Sequence, residues 1–307
     1  MPAPVTTTVL VVTWRGIGHL GECLDALAAQ DRPHRILVID NASDDGTADL
    51  LAAHPSAPEV LRLPRNTGYA GGIAAGLSAV DTPLVAWLND DAVPRPDWLG
   101  LLEDALLAER GLAAVGCRLE RADGTAQSVG VRLTADGHGA DRTGGWPAFG
   151  FCGGAVLLRT AALRAAGGVP AEFFCYYEDT DTAWRLRLAG WRIGVLEQAV
   201  VRHRHGASTR PGSVAFHRWN ERNRLLMLLR CAPARTALAQ LARFAALTAV
   251  LPLRRGRPAA ANFRLRLRCR VLAEVLGRLP ATLSARRAIG ARAALDRGEV
   301  LRAWAGR

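Results

Sequence analysis

The chain of 307 residues contains no lysine: its 39 basic residues are all arginine, set against 28 acids and 7 histidines. With so much Ala, Gly and Pro, this reflects a GC-rich coding background more than a demand for guanidinium chemistry. Aromatic residues are few, at 6 %, and do not interleave with the basic residues of the C-terminal third. That pattern, and the lack of a recognition motif, argues against a nucleic-acid-binding protein, which salt-sensitive retention on DNA or RNA would reveal. The six cysteines form no CxxC pair and no zinc spacing, which excludes a disulfide scaffold and a zinc module and points to free thiols in a reducing compartment. Residues Met1 to Thr8 lack the basic and apolar regions of a signal peptide. The longest apolar run of the tail, Phe244 to Leu253, is about half of what a bilayer span requires. These absences predict a cytoplasmic protein, placed peripherally on the inner face of the cell membrane rather than through it.

What is present is a globular composition, half hydrophobic, with length for one large domain or two modest ones. Charge is uneven. From Arg218 onward there are 20 arginines and 4 acids, while the remainder has 19 arginines and 24 acids. A basic tail behind a mildly acidic front suits an anionic surface such as lipid head groups.

Periodicity predicts strands at Val9 to Thr13, Arg35 to Asp40, Val60 to Leu63 and in the stretch Leu84 to Ala92. They alternate with helices at Leu20 to Gln30, Thr47 to Ala53 and from the Asn66-Thr-Gly-Tyr-Ala-Gly-Gly segment to Val80. Four such alternations predict an α/β fold with a mostly parallel, Rossmann-like sheet covered on both faces. Further expected elements are a helix over Asp97 to Arg110, strands at Ala113 to Arg118 and Phe151 to Arg159, and helices at Thr160 to Ala166 and from Glu178 to Ala189. Short strands follow at Ile193 to Leu196 and Ala199 to His203. Asp123 to Pro147 reads as a long loop or irregular hairpin. From Phe216 the chain reads as arginine-laced helices broken near Pro233, Pro252 to Pro258 and Pro280. The expected division is a catalytic domain over 1–215 and a basic helical region over 216–307.

Two acidic clusters carry the chemistry. Leu84 to Ala92 ends a buried strand in Asn89, Asp90 and Asp91 at the sheet edge where open α/β sheets bind ligands. Adjacent carboxylates there repel unless a cation lies between them. A divalent metal, Mg²⁺ or Mn²⁺, holding a phosphorylated ligand fits that need, and the competing reading is that Asp91 caps the following helix. In Tyr176-Tyr-Glu178-Asp179, either acid can serve as a general base with its pKa set by partial burial. Otherwise these acids simply favour the helix dipole, and Asp181 pairs with Arg185 one turn on. A rival signal is Gly16-Ile-Gly-His-Leu-Gly21 with Asp40 downstream, a dinucleotide fingerprint implying a nicotinamide-dependent oxidoreductase. Trp14 and Arg15 lengthen its turn, however, and it gives the acids no role.

Six segments in order resemble the family 2 glycosyltransferases, in particular bacterial rhamnosyltransferase-like and galactofuranosyltransferase-like members with a GT-A fold. They are Val11-Val-Thr-Trp, Val38-Ile-Asp-Asn-Ala-Ser-Asp-Asp-Gly-Thr47, Asn66-Thr-Gly-Tyr-Ala-Gly-Gly72, Leu88-Asn-Asp-Asp-Ala92, Phe174-Cys-Tyr-Tyr-Glu-Asp-Thr-Asp181 and Trp184-Arg-Leu-Arg-Leu-Ala-Gly-Trp191. The resemblance implies that Asp40 contacts the nucleobase of a nucleotide-diphosphate sugar, with Thr13 lining the same pocket and Asn66 and Gly68 beside the nucleotide. Asn89-Asp90-Asp91 falls on the DxD position, so Asp91 binds the metal while Asn89 and Asp90 face the ribose or sugar. Asp179, paired with Glu178, falls on the catalytic base. His203 falls where a histidine helps hold the metal or diphosphate, with His205 as its competitor. The acceptor implied is a glycan or polyprenyl-diphosphate-linked sugar. Arg15, Asp90, Ile73-Ala74 and Val169 to Glu172 depart from the usual residues of the family, which leaves sugar specificity open.

Overall fold

The computed structural model describes residues 4–145, 147–204, 212–253 and 260–306. Its first half alternates as the periodicity predicts: β1 (Thr7–Thr13), α1 (Leu20–Ala28), β2 (His34–Asp40), α2 (Thr47–Ala53), β3 (Glu59–Arg62), α3 (Gly68–Ser78) and β4 (Leu84–Asn89). There follow β5 (Ala92–Pro94), α4 (Trp98–Ala108), β6 (Leu112–Glu120), β7 (Ala126–Ser128), β8 (Val131–Leu133), β9 (Gly139–Asp141), β10 (Ala155–Arg159) and α5 (Thr160–Ala165). Then come α6 (Glu178–Leu188), β11 (Arg192–His203), α7 (Val214–Cys231), α8 (Ala234–Val250), α9 (Leu265–Gly277), α10 (Leu279–Arg292) and α11 (Arg297–Trp304).

The main sheet runs β3-β2-β1-β4-β10-β6-β11-β5, with β7 beside β6. Strands β1 to β4 pair in parallel, as do β6 and β11, whereas β10 is antiparallel to both its neighbours. Alternate residues of β1 feed opposite layers. Val9 and Val11 meet Leu20, Leu24, Leu27, Trp98 and Leu102 on one face, while Leu10 and Val12 join Ile39, Ile73 and Trp87 on the other. This period of two, with both faces apolar, is why the strand reads as one hydrophobic run. The strand order reverses direction at β1, where β2 and β4 flank it. That switch point opens a crevice at the carboxyl ends, and the register puts Thr13 beside Asp40 and Val12 beside Asn89 there.

Several expectations change. The strand expected from Phe151 begins only at Ala155, because Cys152, Gly153 and Gly154 form a turn. The two short strands after Trp191 are one strand, β11, interrupted by an irregularity between Leu196 and Val200. The segment after Asp123 supplies β7 and the β8–β9 hairpin.

The C-terminal helices do not stand apart as a solvated basic tail. Leu225 to Leu229 of α7 and Val271 and Val275 of α9 enter the same core cluster as Phe149, Phe151 and Trp184. Among the alternating arginines of 264–270, Arg268 is buried. Its guanidinium donates to the Phe244 carbonyl and the Thr248 hydroxyl and lies over the Phe244 ring. The apolar helix is also longer than the run Phe244 to Leu253 suggests. Ala234–Leu253, 20 residues with mean hydropathy 1.4, is long and apolar enough to cross a membrane by length and composition.

Candidate active site

The first acidic cluster is assembled by strand pairing. β5 lies antiparallel to β11 with Ala92 opposite His203, and this brings His203 Nε2 to 3.0 Å from Asp91 Oδ1 and 3.0 Å from Asn89 Nδ2. On the far side of the ring, Nδ1 lies 3.0 Å from Gln127 Oε1 on β7. An amide oxygen can only accept, so Nδ1 donates to Gln127 and Nε2 faces the Asp91 carboxylate, to which it donates when the ring is protonated. When the ring is neutral, its Nε2 lone pair and the Asp91 carboxylate face each other as two electron-pair donors, a pair able to hold a cation. The set of one carboxylate and one imidazole suits Mn²⁺ or Mg²⁺, which take few protein ligands and fill their remaining positions with water and phosphate oxygens. Burial alone pushes the Asp91 carboxyl up, but the His203 contact and the nearby His19 outweigh it and hold Asp91 below the ordinary carboxylate range.

Asp90 turns the other way. Its Oδ2 lies 3.2 Å from His19 Nε2, although the two are not aligned as a hydrogen bond. That contact raises the His19 ring above its ordinary pKa in spite of burial. Thr13 Oγ1, also buried, has no hydrogen-bond partner among the described residues, and it lies close under Gly16, where a Cβ would collide with it. Asp40 is buried with both oxygens engaged: Oδ1 accepts from the Ser43 amide at 2.8 Å and Oδ2 from Arg62 at 2.6 Å. Asn66 closes a turn by accepting from the Gly68 amide. Gly68, at φ +74°, lies against the backbone of Phe174, where any Cβ would stand 2.2 Å from the carbonyl oxygen. His205 lies outside the described residues.

The second acidic cluster opens α6. Asp179 Oδ2 accepts from the Gly153 amide at 3.0 Å, and Oδ1 accepts from the amide and hydroxyl of Thr180. The neighbouring Glu178 Oε2 is buried with no hydrogen-bond partner among the described residues. Burial, reinforced by the charge of Asp179, pushes Glu178 up to about 8. Burial also raises Asp179, with its three hydrogen bonds pulling back. The two carboxyls act on each other's charge, so they titrate as a pair, with Glu178 the member held protonated at neutral pH. Tyr69 of α3 donates to the Gly153 carbonyl at 2.5 Å, so both polar groups of Gly153 are fixed. Asp181 belongs to the structure rather than the site, because it is fully buried between Arg185 at 2.7 Å and Arg230 at 3.2 Å.

The two clusters are linked through the backbone. The Asn89 amide donates to the Gly154 carbonyl at 2.9 Å, so an unbroken path of contacts runs Asp91, His203, Asn89, Gly154, Gly153, Asp179. Gln127, Tyr69, His19 and the Gly153-Gly154 turn were not legible as site residues. Each is a common residue type placed by a distant pairing, and only the paired glycines offered a local cue.

The rival fingerprint at Gly16 does not form a phosphate cradle. The amides that a pyrophosphate would need are taken by the loop after β2. Arg15 N–H donates to Ser43, Gly16 N–H to Thr47 and Ile17 N–H to Asp45.

The mostly parallel sheet with its switch point at β1 and its antiparallel β10 is that of a GT-A fold. The glycosyl transferase family 2 profile matches residues 8–167, and the chain belongs to that family. It is 26 % identical over 241 residues to the N-acetylglucosaminyl-diphospho-decaprenol L-rhamnosyltransferase of Mycobacterium tuberculosis, covering 66 % of this chain and 76 % of that protein. It is 37 % identical over 86 residues to galactofuranosyltransferase GlfT1 of Mycolicibacterium smegmatis, covering 27 % and 28 %. In fold it matches the mannosyltransferase PcManGT of Pyrobaculum calidifontis, solved with GDP-Man and Mn²⁺, at a TM-score of 0.57 and 20 % identity over 95 % of this chain and 88 % of that one.

Proposed function

We propose that this glycosyltransferase moves a sugar from a nucleotide-diphosphate donor, of the dTDP-rhamnose or UDP-sugar class, to a hydroxyl of a cell-surface glycan or polyprenyl-diphosphate-linked acceptor, with inversion at the anomeric carbon. The observation that carries this reading is the contact path joining Asp91 to Asp179 around Gly153-Gly154. Asp91 and His203 would hold Mg²⁺ or Mn²⁺, which when bound neutralises charge on the departing diphosphate. Asn89 orients the imidazole. Asp40, once the half-exposed Arg62 swings aside, receives the nucleobase, with Thr13, Asn66, Gly68 and Asp90 around the nucleotide and sugar. Asp179 takes the proton of the attacking hydroxyl as the new C–O bond forms. The old bond breaks with its electron pair leaving on the diphosphate, on the opposite face of the sugar. Glu178, held protonated at neutral pH, leaves the negative charge of the pair on Asp179, which is then ionised and ready to accept that proton.

The relative named for a diphospho-decaprenol substrate supports the acceptor class. So does α8. It packs Ala237, Phe244, Thr248 and Leu251 inward but exposes Leu238, Val250 and Leu253 beside Arg235 and Arg243. A helix pinned along one stripe by Arg268 suits the head-group layer of an anionic cytoplasmic leaflet better than a full crossing. The test is a thermal-shift screen of UDP-, dTDP- and GDP-sugars with Mn²⁺. A metal-dependent shift that Asp91→Ala removes is expected, and a shift indifferent to both metal and Asp91 overturns the reading.

A further inference from the structure

The four residues before Glu178 have an unusual backbone. Phe174 at φ +67°, ψ −62° is the centre of a γ-turn closed by the Cys175 amide on the Phe173 carbonyl at 2.8 Å, the strained kind with positive φ. Tyr176 and Tyr177 are also left-handed, at φ +72° and +69°. Non-glycine residues leave this region unless their surroundings hold them there. A loop so wound leaves most of its carbonyls to donors outside it, and the structure shows where they go. The Phe174 carbonyl accepts from the Ala70 amide, and that of Tyr177 from the Asp181 amide. Those of Cys175 and Tyr176, together with the already bonded Phe173 carbonyl, surround one side-chain amide, Asn223 Nδ2 of α7, at 2.8, 2.7 and 2.9 Å, so that its two hydrogens are shared among the three. Asn223 is fully buried, and its orientation is fixed because Oδ1 accepts from Arg222 Nε at 2.9 Å. Arg222 also donates to the Phe173 carbonyl at 2.7 Å and is tied to Glu274 of α9.

We infer that Asn223, held by Arg222, is a positioning residue for the sugar-transfer reaction. From the C-terminal helical region it clamps the left-handed loop that aims Glu178 and Asp179 at the crevice. This rests on the proposed role of the acid pair, and it makes α7 part of the catalytic machinery. A packing role alone would need only the shape of asparagine, whereas the clamp needs its donors.

The test compares the full-length protein with Asn223→Asp, which keeps the shape and removes the donors, and with Arg222→Gln, which loosens the amide orientation. The readouts are turnover, binding of UDP or dTDP with Mn²⁺ by calorimetry, and hydrogen exchange. For Asn223→Asp we expect kcat to fall about a hundredfold while nucleotide affinity stays within about twofold, with faster exchange confined to 174–180. Arg222→Gln shows the same pattern more weakly, and it decides alone if Asn223→Asp does not fold. Unchanged kcat and exchange at 174–180 overturn the clamp. So does a loss of nucleotide affinity in step with faster exchange throughout β1 to β4, the mark of general destabilisation. Asp179→Asn separates the two ideas. If it retains normal turnover, the role of the acid pair fails. If it is inactive while the Asn223 and Arg222 variants behave normally, the clamp alone fails.

Discussion

The strand-end acids and the helix-start acids are joined through the Gly153-Gly154 turn yet are tuned in opposite directions. Asp91 is held below the ordinary carboxylate range by His203 and His19, whereas Glu178 is driven up to about 8 by burial and its charged neighbour. A group kept ionised suits a cation, and an acid pair with one member holding its proton near neutrality suits proton transfer, so the divergence supports the proposed division of roles. The clusters also differ in how they are built. The first sits at the end of a regular, unstrained β-strand, while the second hangs from a left-handed loop that α7 and α3 restrain.

Removing each side's central carboxylate should give the largest effects, of different kinds. Asp179→Asn should lower kcat by about 10²- to 10⁴-fold with donor affinity retained, while Asp91→Ala should abolish metal-dependent donor binding. Equal loss of donor binding in both would erase the distinction, and calorimetry with Mn²⁺ decides it. Next is the scaffold under the second cluster. Asp181→Asn leaves Arg185 and Arg230 buried against an uncharged amide and should cost about 3–5 kcal/mol, seen as a lower denaturation midpoint at unchanged slope. Gly68→Ala forces a Cβ into the Phe174 carbonyl at a positive φ and should cost about 2–3 kcal/mol, with turnover falling further than donor affinity.

The pH dependence of stability sharpens the comparison further. Glu178 is raised, so its contribution to stability is full below its unfolded value near 4.5 and is lost as pH rises through about 8. Asp91 is lowered, so its contribution is present above 3.8 and is lost as pH falls through its folded value. Thermal melts of the metal-free protein should therefore decline between about pH 4.5 and 8, and Glu178→Gln should flatten that decline. A melt that rises across this window would contradict the burial of an acid pair. The smallest effect on folding is expected far from both clusters. Leu238→Glu on the exposed face of α8 should change stability by less than about 0.5 kcal/mol yet release the protein from vesicles containing phosphatidylglycerol.

The sequence by itself determined the α/β alternation, the parallel core strands and the strand-end acids, because these follow from local periodicity and from where an apolar run stops. Even there it could mislead. The glycines at 16–21 match a dinucleotide motif, and only the neighbouring loop, by occupying their amides, shows that no cradle forms. The decisive contacts of the site join residues far apart in the chain. Gln127 meets His203, Gly153 meets Asp179, and Asn223 meets the loop at 173–176. No local pattern encodes such pairs, because a glutamine, a glycine or an asparagine gains a role only when strand register or helix packing sets it opposite an unsatisfied group. The same holds for the C-terminal arginines. Their number and net charge are fixed by composition, but tertiary packing decided that Arg222, Arg230 and Arg268 turn inward to buried carbonyls and carboxylates, since a buried polar group left unpaired costs more than the arginine loses by leaving water.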